Sequence, residues 1–124
     1  MASDKKTILA VEDDKAQLQA LREKLTREGF AVLEAADGEE GLALALSAHP
    51  DLVLLDIMMP KVDGGKMLAR LREDAWGKDI PVIILTNLAY LPEDTTKGQS
   101  DEYLLKSDTK LEGLVEKIRQ HLKL

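Results

Sequence analysis

"LVLLDIMMP", residues 52–60, sets four consecutive aliphatic side chains in front of an acid, Asp56, with a proline four residues beyond it. A short apolar run without polar alternation is the pattern of a strand buried on both faces, and such strands belong to parallel sheets covered by helices. The acid at its tip is the feature to be explained. A carboxylate there is either a turn-forming strand terminator or the reactive group of a site.

The chain on either side of this run alternates between two periodicities. "TILAV" (7–11) reads as a buried strand, and Leu18, Leu21 and Leu25 then recur at helical spacing until Gly29 stops the helix. "FAVLEA" (30–35) reads as a second strand. Asp37 opens the next helix with Glu40 as capping-box partner, and His49-Pro50 closes it. After the third strand, "DLVLLD" (51–56), Asp63 is placed to cap a helix carrying Met67, Leu68 and Leu71. "IPVIILT" (80–86) and "EYLLK" (102–106) supply strands four and five. The last helix is expected near Thr109, with Glu112 as its capping-box partner and Leu111, Leu114, Val115, Ile118 and Leu122 as its apolar stripe. Five strands alternating with helices, joined by right-handed crossovers, give a doubly wound α/β domain with its site beyond the carboxyl ends of the strands.

Composition agrees with one soluble globular domain over residues 1–124: 44% of residues are hydrophobic and 32% charged. No apolar run is long enough to span a membrane, and the first residues do not form a signal peptide. Cysteine is absent, which excludes disulfides and thiolate chemistry and fits a cytoplasmic setting. A net charge of −6 and an aromatic content of 3% argue against direct nucleic-acid binding.

The carboxyl ends of the expected strands carry Glu12, Asp13 and Asp14, then Asp56, then Thr86 and Asn87, then Lys106. Crowded carboxylates repel one another until protons or a cation intervene. Oxygen ligands without His or Cys select a hard divalent ion such as Mg2+. An aspartate can attack phosphorus to give an acyl phosphate, with the metal and Lys106 neutralising the transferring oxygens and Thr86 donating to one of them. Asp14 reads instead as a favourable charge at a helix N-terminus. His49 and His121 read as surface residues.

"ILAVEDD", "LVLLDIMMPKVDG", "PVIILTN" and "YLLKSD", in this order and over nearly the whole chain, resemble the receiver domain of two-component response regulators. The resemblance implies a flavodoxin-like five-stranded parallel sheet of order 2-1-3-4-5. It implies Asp56 as phosphoacceptor, with Glu12, Asp13 and the Met58 carbonyl completing the Mg2+ ligands. Lys106 would pair with Asp56 and later with the phosphoryl group; Thr86 would be the switch hydroxyl and Tyr103 its aromatic companion. Pro60 and Gly64 match the loop after the phosphoacceptor. The partner implied is a histidine kinase or histidine phosphotransfer protein, with an output protein that the sequence does not name. Such a chain is no general enzyme; it catalyses only its own phosphorylation and slow dephosphorylation.

Three departures from the family pattern stand out. Ser107 replaces the usual proline after the lysine, which favours a trans Lys106–Ser107 bond. Asn87 replaces a small residue after the switch hydroxyl. The stretch "LAYLPEDTTKGQSDE" is a poor helix former, so a helix between strands four and five is expected to be short or irregular. Met58 and Leu88 cannot orient hydrolytic water, which predicts slow loss of the phosphoryl group. Two rival readings are a pseudo-receiver acting as a phosphorylation-independent interaction module, and a flavin binder, disfavoured by the acidic "EDDKAQ". No output domain is expected within the chain.

Overall fold

A computed structural model describes residues 5–56, 64–86 and 101–124. Strands β1 (Thr7–Val11), β2 (Ala31–Ala35), β3 (Leu52–Leu55), β4 (Val82–Thr86) and β5 (Glu102–Leu105) form one sheet of order β2-β1-β3-β4-β5. Every pairing is parallel. Helices α1 (Lys15–Arg27), α2 (Gly38–Ala48), α3 (Gly64–Glu73) and α4 (Leu111–Leu122) cover its two faces. Among the described residues no helix is long and apolar enough to cross a membrane.

The unalternating strands are buried on both sides, as their composition predicts. Leu9, Val11, Val53, Leu55, Val82 and Ile84 join Met67, Leu68 and Leu71 of α3 in one core. Their neighbours Ile8, Ala10, Leu52, Leu54, Ile83 and Leu85 join Leu18, Leu21 and Leu25 of α1 and Leu114, Val115 and Ile118 of α4 in the other. Period two along the strands therefore sorts one continuous apolar run into two separate layers.

Helix ends follow local chemistry. Asp14 caps α1, accepting from Gln17 N at 3.0 Å. Gly29 takes φ +97°, the left-handed turn expected of a helix stop. Asp37 caps α2 through Glu40 N at 2.8 Å, while the Glu40 carboxylate reaches back one residue further than a standard capping box, to Ala36 N at 2.7 Å. His49 ends α2 in the left-handed region, and its ring stacks on Trp76 at 4.2 Å, so this surface histidine is engaged in packing. His121 is half-buried and paired with Glu102, which corrects its reading as a plain surface residue.

The start of the last helix differs from expectation. Lys106–Asp108 form a single 3-10 turn, Lys110 precedes α4 without a side-chain cap, and no Thr109–Glu112 box forms. Glu112 turns instead to Lys24 of α1 at 3.5 Å. Asp63, Pro60 and the 89–101 stretch up to residue 100 lie outside the described residues.

At the amino edge of the sheet, Asp51 accepts from Thr7 N at 2.7 Å and Asp101 from Val82 N at 2.8 Å. Arg72 ties this edge to α3, donating to Ile80 O at 2.6 Å, Gly77 O at 2.9 Å and Asp101 Oδ2 at 3.3 Å.

Two glycines separate packing from propensity. A Cβ on Gly41 would lie 2.9 Å from Val11 Cγ2 and 3.2 Å from Met67 Sδ, whereas one on Gly113 meets nothing within 4 Å. Gly113→Ala on the exposed side of α4 is expected to stabilise by about 0.5–1 kcal/mol. Gly41→Ala gains the same propensity but overpacks a β-branched strand residue, for a net loss of about 1 kcal/mol. Urea denaturation of both variants checks the opposite signs.

The α1–α4 contact carries a pH dependence. The Glu28 carboxyl is held below its usual value of 4.5 by hydrogen bonds from Lys24 and then Arg119, at 3.2 and 3.0 Å. A lowered folded-state value means stability that is present above the unfolded value and is lost as pH falls through the folded one. The gap in denaturation midpoint between the parent and Glu28→Gln is therefore expected at neutral pH, and should close below about pH 4.

Candidate functional site

Strand register assembles the carboxyl edge. Val11 pairs with Leu55, so the residues that follow, Glu12 and Asp56, leave adjacent strands at the same level. Asp56 N donates to Val11 O at 3.0 Å and Glu12 N to Ala35 O at 3.0 Å, extending the ladder by one residue on each side. On the other flank Thr86 pairs with Leu105, which puts Lys106 one step beyond it.

Asp56 is 7% exposed, and both of its oxygens are engaged. Thr86 Oγ1, fully buried, donates to Oδ1 at 3.0 Å. Lys106 Nζ donates to Oδ2 at 3.0 Å. The same ammonium donates to Glu12 Oε1 and to Gln17 Oε1. Glu12, only 3% exposed, also accepts from Asp14 N at 3.1 Å. Asp13 is exposed at the rim, and one oxygen from each of Glu12, Asp13 and Asp56 falls within 4.8 Å of the others. These groups line an open cavity of about 330 Å3.

Burial and charge compete throughout the cluster. Burial pushes the Glu12 carboxyl above its usual value, and the Asp56 charge adds to this; hydrogen bonds from Lys106 and Asp14 offset it only in part. For Lys106, burial works toward the neutral amine, but hydrogen bonds to Glu12 and Asp56 outweigh it and raise its pKa. The asymmetry has a simple cause: the ammonium enjoys two carboxylates, while Glu12 shares one ammonium with Asp56. Lys106 is thus an integral charge of the site, not a solvated one.

Sequence-expected residues that meet here are Asp56, Glu12, Asp13, Thr86 and Lys106. Tyr103 lies on β5, half-buried against the α2–α3 core layer, and its hydroxyl pKa is raised by burial and then by the Asp56 charge. Asp14 is the cap of α1, as its position suggested. The Lys106–Ser107 bond is trans, since no cis peptide occurs among the described residues. Met58, Asn87 and Leu88 lie outside the described residues.

Gln17 was not singled out from the sequence. The signal was present: positions 17, 21 and 25 share one helix face, so Gln17 continues the buried Leu21–Leu25 stripe with a polar side chain toward the strand ends.

The donor set suits a hard divalent cation. Three carboxylates stand against one ammonium, all donors are oxygens, and the mouth is open to water and to a phosphate group.

Comparison with known proteins agrees. Residues 8–119 match the family described as the response regulator receiver domain. The chain is 42% identical over 102 residues to the DNA-binding dual master transcriptional regulator RpaA of Synechocystis sp., covering 80% of this chain and 42% of that protein. It is 38% identical over 118 residues to response regulator MprA of Mycolicibacterium vanbaalenii, covering 94% and 50%. The chain therefore spans half or less of these relatives. Among solved structures, a CheY-like receiver domain protein from Methanospirillum hungatei superposes with TM-score 0.89 at 30% identity, over 97% of this chain and 95% of that one. Response regulator TrrA of Thermotoga maritima, in complex with Mg2+ and BeF, superposes with TM-score 0.84 at 34% identity, over 94% and 98%. With its parallel sheet in the 2-1-3-4-5 order and an acidic cluster at the carboxyl edge, the chain belongs to the response regulator receiver domain family.

Proposed function

We propose that this domain takes a phosphoryl group from a histidine kinase or histidine phosphotransfer protein onto Asp56, with Mg2+, and that the modified site alters a partner surface. The observation that carries this reading is the paired engagement of Asp56: Thr86 on one oxygen, Lys106 on the other, and two further carboxylates within 4.8 Å.

In the proposed transfer an Asp56 oxygen forms the new bond to phosphorus. The bond from phosphorus to the donor imidazole nitrogen breaks, and that imidazole leaves with the bonding pair and takes up a proton. The chemistry a divalent cation supplies, held by Asp13, Asp56, Glu12 and the Met58 carbonyl, is neutralisation of the phosphoryl oxygens. Lys106 keeps a positive charge beside the acceptor, because its hydrogen bonds to Glu12 and Asp56 outweigh the burial that would favour the neutral amine. Thr86 exchanges its bond to Asp56 for one to a phosphoryl oxygen. That displacement opens space near the half-buried Tyr103 ring, so the two are proposed as the switch pair on β4 and β5. The domain acts in the cytoplasm as a signalling element and turns over no external substrate beyond its own modification. Its relatives named as transcriptional regulators suggest an output partner or attached output segment that reads this state.

The reading is tested by intact mass after incubation with Mg2+ and acetyl phosphate. One phosphoryl adduct is expected on the parent, none on Asp56→Asn and none without metal. Mg2+ binding without any adduct would point to Asn87 or the Lys106–Ser107 loop and call for a kinase donor, whereas absence of both would favour a phosphorylation-independent interaction module.

Lys106→Met separates the two electrostatic roles. Removing the ammonium takes away the competitor for the carboxylates, so Mg2+ should bind more tightly in a calorimetric titration. It also removes a fixed donor to the phosphoryl oxygens, so the initial rate of adduct formation should fall by about 100-fold. Equal loss of both would show that Lys106 serves only to hold the site together.

A further inference from the structure

Gln17 stands where two cavities meet. It lines the acidic pocket that holds Asp56 and also an apolar cavity of about 260 Å3 between α1, the end of β4 and the start of α4, bordered by Ala20, Leu21, Leu85 and Leu111. Lys106 is the other residue shared by both. The Gln17 side chain meets the Lys106 ammonium on one side and the Asp14 carboxylate on the other, with Nε2 3.5 Å from Asp14 Oδ2. Chemistry fixes the orientation of the amide: an ammonium only donates, so the carbonyl oxygen faces Lys106, and the NH2 is left for a carboxylate that only accepts. Asp14 also holds Gln17 through the backbone, at 3.0 Å, as the cap of α1. The residue is thus gripped twice by one acid.

An ammonium has three N–H donors. Those of Lys106 go to Glu12, Gln17 and Asp56, which come from the end of β1, the first turn of α1 and the end of β3. We propose that Gln17 is a positioning residue: with Glu12 it anchors two of the Lys106 donors, so that the third is aimed at Asp56 and, after transfer, at the phosphoryl group. The proposal rests on the reading of Asp56 as phosphoacceptor. A carboxamide suits the task because it accepts a hydrogen bond without adding another negative charge to a cluster that must also hold a cation. With the ammonium held on two sides, the donor to the transferring oxygens is in place before the phosphoryl group arrives, which lowers the ordering cost of the reaction.

Three variants test this. Gln17→Met keeps approximate volume but removes the acceptor; Gln17→Glu, made together with Asp14→Asn so that no charge is added, restores an acceptor; Lys106→Met identifies the Lys106 ammonium signal in a side-chain nitrogen NMR spectrum by its disappearance. In the parent, that signal is expected to be protected from exchange by its three partners. It should shift and broaden in Gln17→Met and return in the double variant. Adduct formation from acetyl phosphate at saturating Mg2+ should lose about tenfold in maximal rate in Gln17→Met. The half-saturating acetyl phosphate concentration and the Mg2+ dissociation constant should hold, and the double variant should recover most of the rate. An unchanged ammonium signal, or an unchanged maximal rate, in Gln17→Met overturns the proposal. If the parent forms no adduct, the phosphoacceptor reading has failed; the ammonium signal then still decides whether Gln17 anchors Lys106.

Discussion

The parallel register of β1 against β3 is the constraint on which the site depends. Val11 opposite Leu55 puts Glu12 and Asp56 side by side at the same edge. A one-residue slip would send every side chain of β3 to the wrong face, exchanging Val53 and Leu55 with Leu52 and Leu54 between the two cores. Packing on two faces therefore fixes where the acids emerge, with no contribution from the acids themselves. The chemistry is carried by residues that begin where the core ends.

Once the acids are together, one ammonium organises them. Glu12 and Asp56 are nearly buried and would repel strongly if left alone. Lys106 reaches both from the far side of the site, spanning from the β5 end toward β1. Burial penalises the charges of Glu12 and Lys106, but the lysine gains two carboxylates in return, whereas Glu12 shares one ammonium with Asp56. The cluster consequently keeps a firmly charged lysine beside an under-compensated Glu12. That imbalance is a physical reason for a cation to be welcome there, independent of family membership.

Much of this was legible in the sequence because the fold is written in strand runs without polar alternation. The five strands, their parallel arrangement, the helical stripes of Leu18, Leu21 and Leu25 and of Leu114, Val115 and Ile118, and the gathering of Asp56, Glu12, Thr86 and Lys106 follow from periodicity and from where α/β sheets place their sites. What escaped depends on choices between nearly equivalent local partners. Glu112 had an N-terminal box available but found Lys24 across the helix pair. His121 found Glu102, and His49 found the Trp76 ring. Each partner lies far along the chain or in a separate element, and no local pattern encodes such a meeting. Gln17 escaped for a different reason: on a helix stripe, a polar residue reads as an imperfection unless the stripe is followed to the sheet edge it points toward.

The two edges of the sheet explain why only some of its aspartates are candidates for chemistry. Parallel strands present backbone N–H groups at their amino ends and carbonyls at their carboxyl ends. At the amino edge, Asp51 and Asp101 each accept directly from a strand N–H, at 2.7 and 2.8 Å, and Asp101 also pairs with Arg72. At the carboxyl edge the strand ends offer carbonyl oxygens, which cannot satisfy a carboxylate. Glu12 and Asp56 must take their donors from side chains of other elements, Lys106 and Thr86, supplemented by one helix-entry N–H from Asp14. A donor set drawn from side chains can be redistributed without unmaking the sheet, whereas the Asp51 and Asp101 bonds are part of the ladder's own closure. The same residue type is therefore structural at one end of the strands and exchangeable at the other, and the direction of the chain through the sheet decides which.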